Sequence, residues 1–207
     1  MKTKENNITI ESGSVEKKEG DVLINWATNE FKDGPPSFYN ILSKSGYQPL
    51  SAIETFKSNI SKGNIAEGDS ISTISGMINY NLIIHSLLPK ENFNISWLNI
   101  MKSLKVYKKD NNCRTVYFEI PDWNNLFNFI EEFFAYQTFV TNIKFVIICH
   151  EMEEKYLTSI FKKLGKNFIL KEKNNYLDKF LLNIFSKIIS NVNLLNGNYK
   201  TKLQKET

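Results

Sequence analysis

Gly20-Asp21-Val22-Leu23-Ile24-Asn25-Trp26-Ala27-Thr28-Asn29 is the stretch that decides the fold class of this chain. Gly20-Asp21 is a turn signal, and Val22-Leu23-Ile24 is apolar without alternation. A run that is apolar on both faces suits a strand buried in the middle of a layered sheet. Upstream, Ile8, Ile10 and Val15 flank Gly13 and read as an opening strand that ends in a turn. Downstream, Leu82–Leu87 stops at Pro89, Thr115–Ile120 stops at Pro121, and Lys144–Cys149 forms a further buried-strand run.

Between these runs apolar residues return at helical spacing. Phe38, Ile41 and Leu42 lead to Gly46, and Ile53, Phe56 and Ile60 lead to Gly63. Trp97, Ile100, Met101 and Leu104 form a third stripe, and Leu126, Ile130, Phe133 and Phe134 a fourth within 123–139. Tyr156, Ile160, Phe161 and Leu164 form a fifth, ending at Gly165. Gly68–Gly76 is a small-residue stretch suited to a turn or a sheet edge, and Phe168-Ile169-Leu170 reads as a last strand. Strands alternating with helices predict an α/β domain with a mainly parallel or mixed sheet between helices. The expected organisation is a domain over 1–170, an additional helix over 171–196 that packs on the domain or on a partner, and a polar basic tail over 197–207.

Composition narrows the function classes. The 207 residues are 42% hydrophobic and 23% charged, which excludes wholesale disorder. Two cysteines, Cys113 and Cys149, are too few for a disulfide framework. The opening MKTKENNITIESGS has no apolar core of a secretory signal, and no apolar run reaches about 18 residues, so a cytoplasmic chain with no membrane partner is expected. The net charge is only +4, and Arg114 is the one arginine among 26 basic residues. Arginine supplies the planar fork that reads bases and phosphates, so its scarcity weighs against sequence-specific nucleic-acid recognition. Abundant Lys, Asn and Ile also fit an AT-rich coding sequence of a phage, another virus, a low-GC bacterium or a protist.

Signature chemistry is sparse. No P-loop, GxGxxG, HExxH or CxxC is present, and no metal site is expected. His85 lies in an apolar run and reads as a core histidine, whereas His150 follows a strand and suits either function or capping of the next helix. Cys149 reads as an inert core thiol, and Glu131-Glu132 and Glu153-Glu154 as solvated helix faces. The aromatic cluster Phe127, Phe129, Phe133, Phe134, Tyr136 and Phe139 reads as core, with a base-stacking platform as the alternative. Lys162, Lys163, Lys166, Lys171, Lys173 and the tail form a basic region open to non-specific nucleic-acid binding.

The order of the blocks carries a resemblance. Ile8–Val15 followed by Asp21–Asn29 resembles the opening of a macro domain, in which a turn precedes a "D-A-I-V-N-A-A-N" strand. Gly34-Pro35-Pro36-Ser37, with Ile41 and Ser45-Gly46, stands in the place of that family's glycine-rich loop and first helix. Gly68–Gly76 resembles its "G-x-A-x-x-T-x-G" stretch, and Leu82–Pro89 its "I-I-H-x-V-G-P" strand. The resemblance spans roughly residues 8–165. It implies a three-layer α/β/α sandwich that binds ADP-ribose, with an acid reading adenine, two glycine-rich loops cradling the diphosphate and an Asn holding the distal ribose.

The resemblance implies a pocket at Ser14, Asn25, Asn29, Gly34, Ser37, Thr73 and Trp123, with Asn29 as the candidate catalytic position. The functional points are altered, however. Ser14 replaces the acid, Asn29 matches only with a one-residue slip, and Pro35 and Pro36 stand where glycines would donate N–H groups. Pro121-Asp122-Trp123-Asn124-Asn125 replaces the second phosphate loop. Each lost charge-assisted hydrogen bond is worth about 1.5–3 kcal/mol, so losing several weakens binding by orders of magnitude. The expectation is a non-catalytic macro-like binding or assembly module of a viral, phage or nucleoprotein complex. It would have no cofactor, weak or absent ADP-ribose binding, and a protein partner or self-assembly. The alternative is a divergent ADP-ribose-binding protein or ADP-ribosyl hydrolase.

Overall fold

The computed structural model describes residues 7–59, 65–90 and 92–171. The chain divides into two compact units, Met1–Ile160 and Phe161–Thr207. The first unit is built on a six-stranded sheet of β1 (Asn7–Ser12), β2 (Gly20–Ala27), β3 (Ser70–Ile74), β4 (Tyr80–Leu87), β5 (Thr115–Glu119) and β6 (Lys144–Cys149). The spatial order is β1-β6-β5-β2-β4-β3. All neighbours run parallel except β3, which pairs antiparallel with β4 at one edge. The mixed, mainly parallel α/β architecture expected from the alternating pattern is the one found.

Side chains of β2 alternate between two helical layers. On one face Leu23, Ile83, Tyr117, Val146 and Ile148 pack with Val15 and with Ile41 of α1 (Pro36–Ser45). Ala27 and Leu87 continue that face under Phe38 and Leu42 of α1 and Ile53 of α2 (Tyr47–Asn59). On the other face Trp26 meets Phe93, Trp97 and Phe129 edge to face. Trp97 belongs to α3 (Asn94–Asp110) and Phe129 to α4 (Leu126–Tyr136). The aromatic cluster is therefore largely core: Phe129, Phe133 and Phe134 are buried, while Phe139 is exposed.

Three local expectations change. Val15 is not in the first strand but starts a 3-10 turn, Val15–Lys17, because Gly13 takes a positive φ of 131° and ends β1. Residues 168–170 are not a strand. They lie in α5 (Glu151–Lys171), which also runs through Gly165. A glycine inside a helix costs only about 1 kcal/mol, and a three-residue apolar run has no period of its own. Of the predicted additional helix over 171–196 only Lys171, the last residue of α5, is described; the rest of it, the tail and Gly63 lie outside the described residues.

Candidate crevice at the carboxyl ends of β2 and β5

In parallel α/β sheets ligands bind beyond the carboxyl ends of the strands, where consecutive connections depart to opposite sides. That point lies between β2 and β5. From β2 the chain leaves towards α1, α2 and the β3–β4 edge, whereas from β5 it leaves through α4 towards β6. The β2–β5 ladder holds only Val22↔Val116 and Leu23↔Tyr117. Beyond this pair the strands part, and the Glu119 carbonyl accepts a bond from the indole Nε1 of Trp26 at 2.9 Å instead of from a β2 amide.

The Glu119 side chain follows Tyr117 onto the α1 face. Hydrogen bonding from the Ser37 hydroxyl and the Val15 N–H favours its charged form. These donors stand at the start of the Val15–Lys17 turn and in the first turn of α1. Burial pushes the Glu119 carboxyl above its ordinary value, and Glu16 adds to this. The two hydrogen bonds and His150 pull the other way. A half-buried carboxylate of the chain itself thus stands beside the crevice.

A carboxyl with a raised folded pKa binds its proton more tightly folded than unfolded. Stability is then greatest below the unfolded pKa and declines as pH rises through the folded one. Glu119→Gln keeps the acceptor oxygen and removes the charge. Urea unfolding at pH 5 and pH 8 should show the variant gaining on the wild type at pH 8, and a variant that gains nothing there would contradict a desolvated carboxyl.

The loop after β2 is tight. Thr28 and Asp33 close it with a backbone bridge, and Glu30 and Phe31 take φ of 56° and 63°. Phe31 is buried against Phe56. Asp33 accepts from the Gly34 N–H at 2.8 Å and from the Tyr39 hydroxyl, which hold its carboxyl below the usual range. A Cβ at Gly34 would lie 2.6 Å from the Phe38 Cβ and 2.8 Å from the Trp26 carbonyl, so this glycine serves close packing of α1 on β2. Pro35 caps α1 and Pro36 is its first residue, a placement that fits the fixed φ of proline. Neither has an N–H to offer.

The loop after β5 closes on itself. Asp122 accepts from Asn124 N at 2.9 Å and from Asn125 Nδ2 at 2.7 Å, and Trp123 stands 39% exposed beside it. Ser14 is half-buried just before the Val15–Lys17 turn, and Asn29 begins the 3-10 turn Asn29–Phe31. Ser14, Gly34, Ser37 and Trp123 thus belong to loops or helix starts that follow strand ends.

Asn25 and Thr73 are placed differently. Both are buried, and both bond to the fully buried His85: Asn25 Nδ2 to Nδ1 at 3.1 Å and Thr73 Oγ1 to Nε2 at 3.0 Å. Thr73 lies on β3, with β4 between it and β2. Asn25 Nδ2 and Thr73 Oγ1 thus hold a core imidazole.

Nucleophilic chemistry finds little support. Burial pushes the Cys113 and Cys149 thiols up to about 11 and His85 down to about 3. None of these is poised as nucleophile or base near neutral pH. His150 caps α5: its N–H bonds to Glu153 Oε2 at 3.0 Å, and its carbonyl accepts from Glu153 N at 2.9 Å. Burial beside Glu131 lifts Glu132 to about 7. Among the described residues no three of His, Cys, Asp and Glu cluster as a metal would require, and no helix is long and apolar enough to cross a membrane. Lys162 and Lys163 are exposed on α5. Lys173 and the side chains of Lys166 and Lys171 lie outside what is described.

No family model matches the sequence, and no curated protein does. Solved structures do match. The Oceanobacillus iheyensis macrodomain with ADP is 18% identical over 83% of this chain and 96% of its own, with a TM-score of 0.65. A mutant of that macrodomain with ADPR is 17% identical over 80% and 97%, with a TM-score of 0.67. The chain has the macro-domain fold. The Trypanosoma brucei macrodomain in complex with ADP is more distant, at 14% identity over 72% of this chain and 66% of its own and a TM-score of 0.54. Within the macro-domain fold, Glu119 of this chain ends β5, and Pro35, Pro36 and Trp123 belong to the segments that follow β2 and β5.

Proposed function

We propose that this chain is a non-catalytic module on the macro-domain scaffold that works by binding or assembly, with ADP-ribose bound weakly or not at all. The observation that carries this reading is the half-buried Glu119 carboxylate beside the crevice, near the Val15 N–H and the Ser37 hydroxyl. A second anion brought there meets like charge. Two further features support it. The N-cap and first residue of α1 are prolines, and Asp122 adds a carboxylate on the opposite loop that has no ion pair among the described residues. Burial keeps both thiols protonated and the core imidazole neutral near neutral pH.

The competing reading is a divergent ADP-ribose-binding protein, and the structures with ADP and ADPR that share this fold favour it. Titration calorimetry with ADP-ribose decides between them. No heat of binding is expected up to about 1 mM ligand, a level that corresponds to about −4 kcal/mol. Micromolar affinity would overturn the proposal and leave the competing reading in place.

A further inference from the structure

β3 ends the sheet with one side of its backbone open. Among the described residues it pairs only with β4, in the register Ile71↔His85 and Thr73↔Ile83. Leu87 N donates to the Asp69 carbonyl at 2.8 Å, which makes 69↔87 a hydrogen-bonded pair. Such pairs recur every second residue of an antiparallel ladder, so Ile71 and Thr73 bond inward. The main-chain groups of Ser70, Ser72 and Ile74 therefore face away from the sheet, and none has a backbone partner among the described residues.

An open edge of this kind templates strand pairing, and proteins usually block it with charge, proline or a bulge. Ser70-Ile71-Ser72-Thr73-Ile74 carries none of these, in a chain that is 23% charged. The opposite edge strand, β1, carries Glu11, which is ion-paired to Lys18 and Lys144. Apolar side chains flank the β3 edge. Ile74 and Met77 are exposed at its end, and exposed Ile95 of α3 lies against Gly68 at its start.

We infer that β3 is a self-association edge, which pairs antiparallel with β3 of a second copy about a twofold axis at Ser72. In that register Ser72 faces Ser72 and Ser70 faces Ile74, so each open donor meets an open acceptor. The same strand serves both copies, as an isologous interface requires. Electrostatics favours a second copy as the occupant. No charged side chain stands on the strand, the neighbouring Asp69 carboxylate is turned onto Ala66 N at 2.8 Å, and each copy carries a net charge of only +4. Two sheets then become one continuous sheet, and Ile74 and Met77 are covered at the join. This inference does not depend on what the crevice binds.

Sedimentation equilibrium of the full chain tests it. At about 100 µM, where micromolar association is populated, the mass should be about twice the 24.0 kDa of one chain. Ser72→Pro removes an outward donor at an edge position where proline is tolerated. Ile74→Lys places an exposed charge on the edge. Each should weaken the dimer at least ~10-fold while keeping the wild-type circular dichroism spectrum. A wild type that sediments as a monomer at that concentration would overturn the inference, whether the edge then stays open or takes a foreign strand. A dimer of unchanged affinity in the folded Ile74→Lys variant would overturn it too.

Discussion

Trp97→Ala should lower the stability of the domain by about 3–5 kcal/mol, the cost of truncating a large aromatic in a packed core. Trp97 is fully buried, and its ring centroid lies 5.5 Å from Trp26, 5.4 Å from Phe118, 5.1 Å from Phe129 and 5.0 Å from Phe133. Its Nε1 also donates to the Phe129 carbonyl at 3.3 Å. The indole is thus the common neighbour of β2, β5 and α4, and removing it opens a cavity that three elements line. Domains of this size are stable by about 5–15 kcal/mol, so the loss is a large share of the total. The urea midpoint should fall by about 1–2 M. Trp97→Phe, which keeps ring contacts, should recover much of that. A midpoint that moves by less than about 0.3 M would mean that α3 and α4 do not close over the sheet as described.

The second large effect is acid lability through His85. Asn25 Nδ2 donates to Nδ1, which assigns the proton to Nε2 and lets it donate to Thr73 Oγ1. A second proton on Nδ1 would set donor against donor in a fully buried site. Burial accordingly holds the imidazole at about 3, against 6.5 for an exposed histidine. The unfolded chain therefore takes up a proton below pH 6.5 that the folded chain refuses until about pH 3. The stability contributed by the neutral ring is complete above pH 6.5 and is lost as pH falls towards 3. At about 1.4 kcal/mol per pH unit, His85 alone removes about 3 kcal/mol between pH 6.5 and pH 4. His85→Gln has no such group. The stability difference between wild type and variant should shrink by about that amount over the same range. Parallel curves would rule out a neutral buried imidazole.

Legibility followed the range of the interactions. Val22-Leu23-Ile24 and Phe145-Val146-Ile147-Ile148 announce central strands because burial on both faces leaves no alternation, a local property. His85 was readable as core for the same reason. Its partners were not, since Asn25 and Thr73 reach it from two other strands and cross-strand register is absent from a linear pattern. Glu119 escaped notice because Val15, Ser37 and Glu119 come from three separate segments. The only local hint is a charged residue ending Thr115-Val116-Tyr117-Phe118. Phe168-Ile169-Leu170 was misread because three apolar residues fit a strand and a helix equally well.

The short β2–β5 ladder has a mechanical consequence. Every other neighbouring pair of strands is stitched over five to seven registers, but β2 and β5 share two. The sheet is in effect two plates, β1-β6-β5 and β2-β4-β3, joined along a crease with the Trp26 indole as its rivet. With the fewest ladder pairs across that seam, the first sheet amides to exchange with heavy water should be those at the carboxyl ends of β2 and β5.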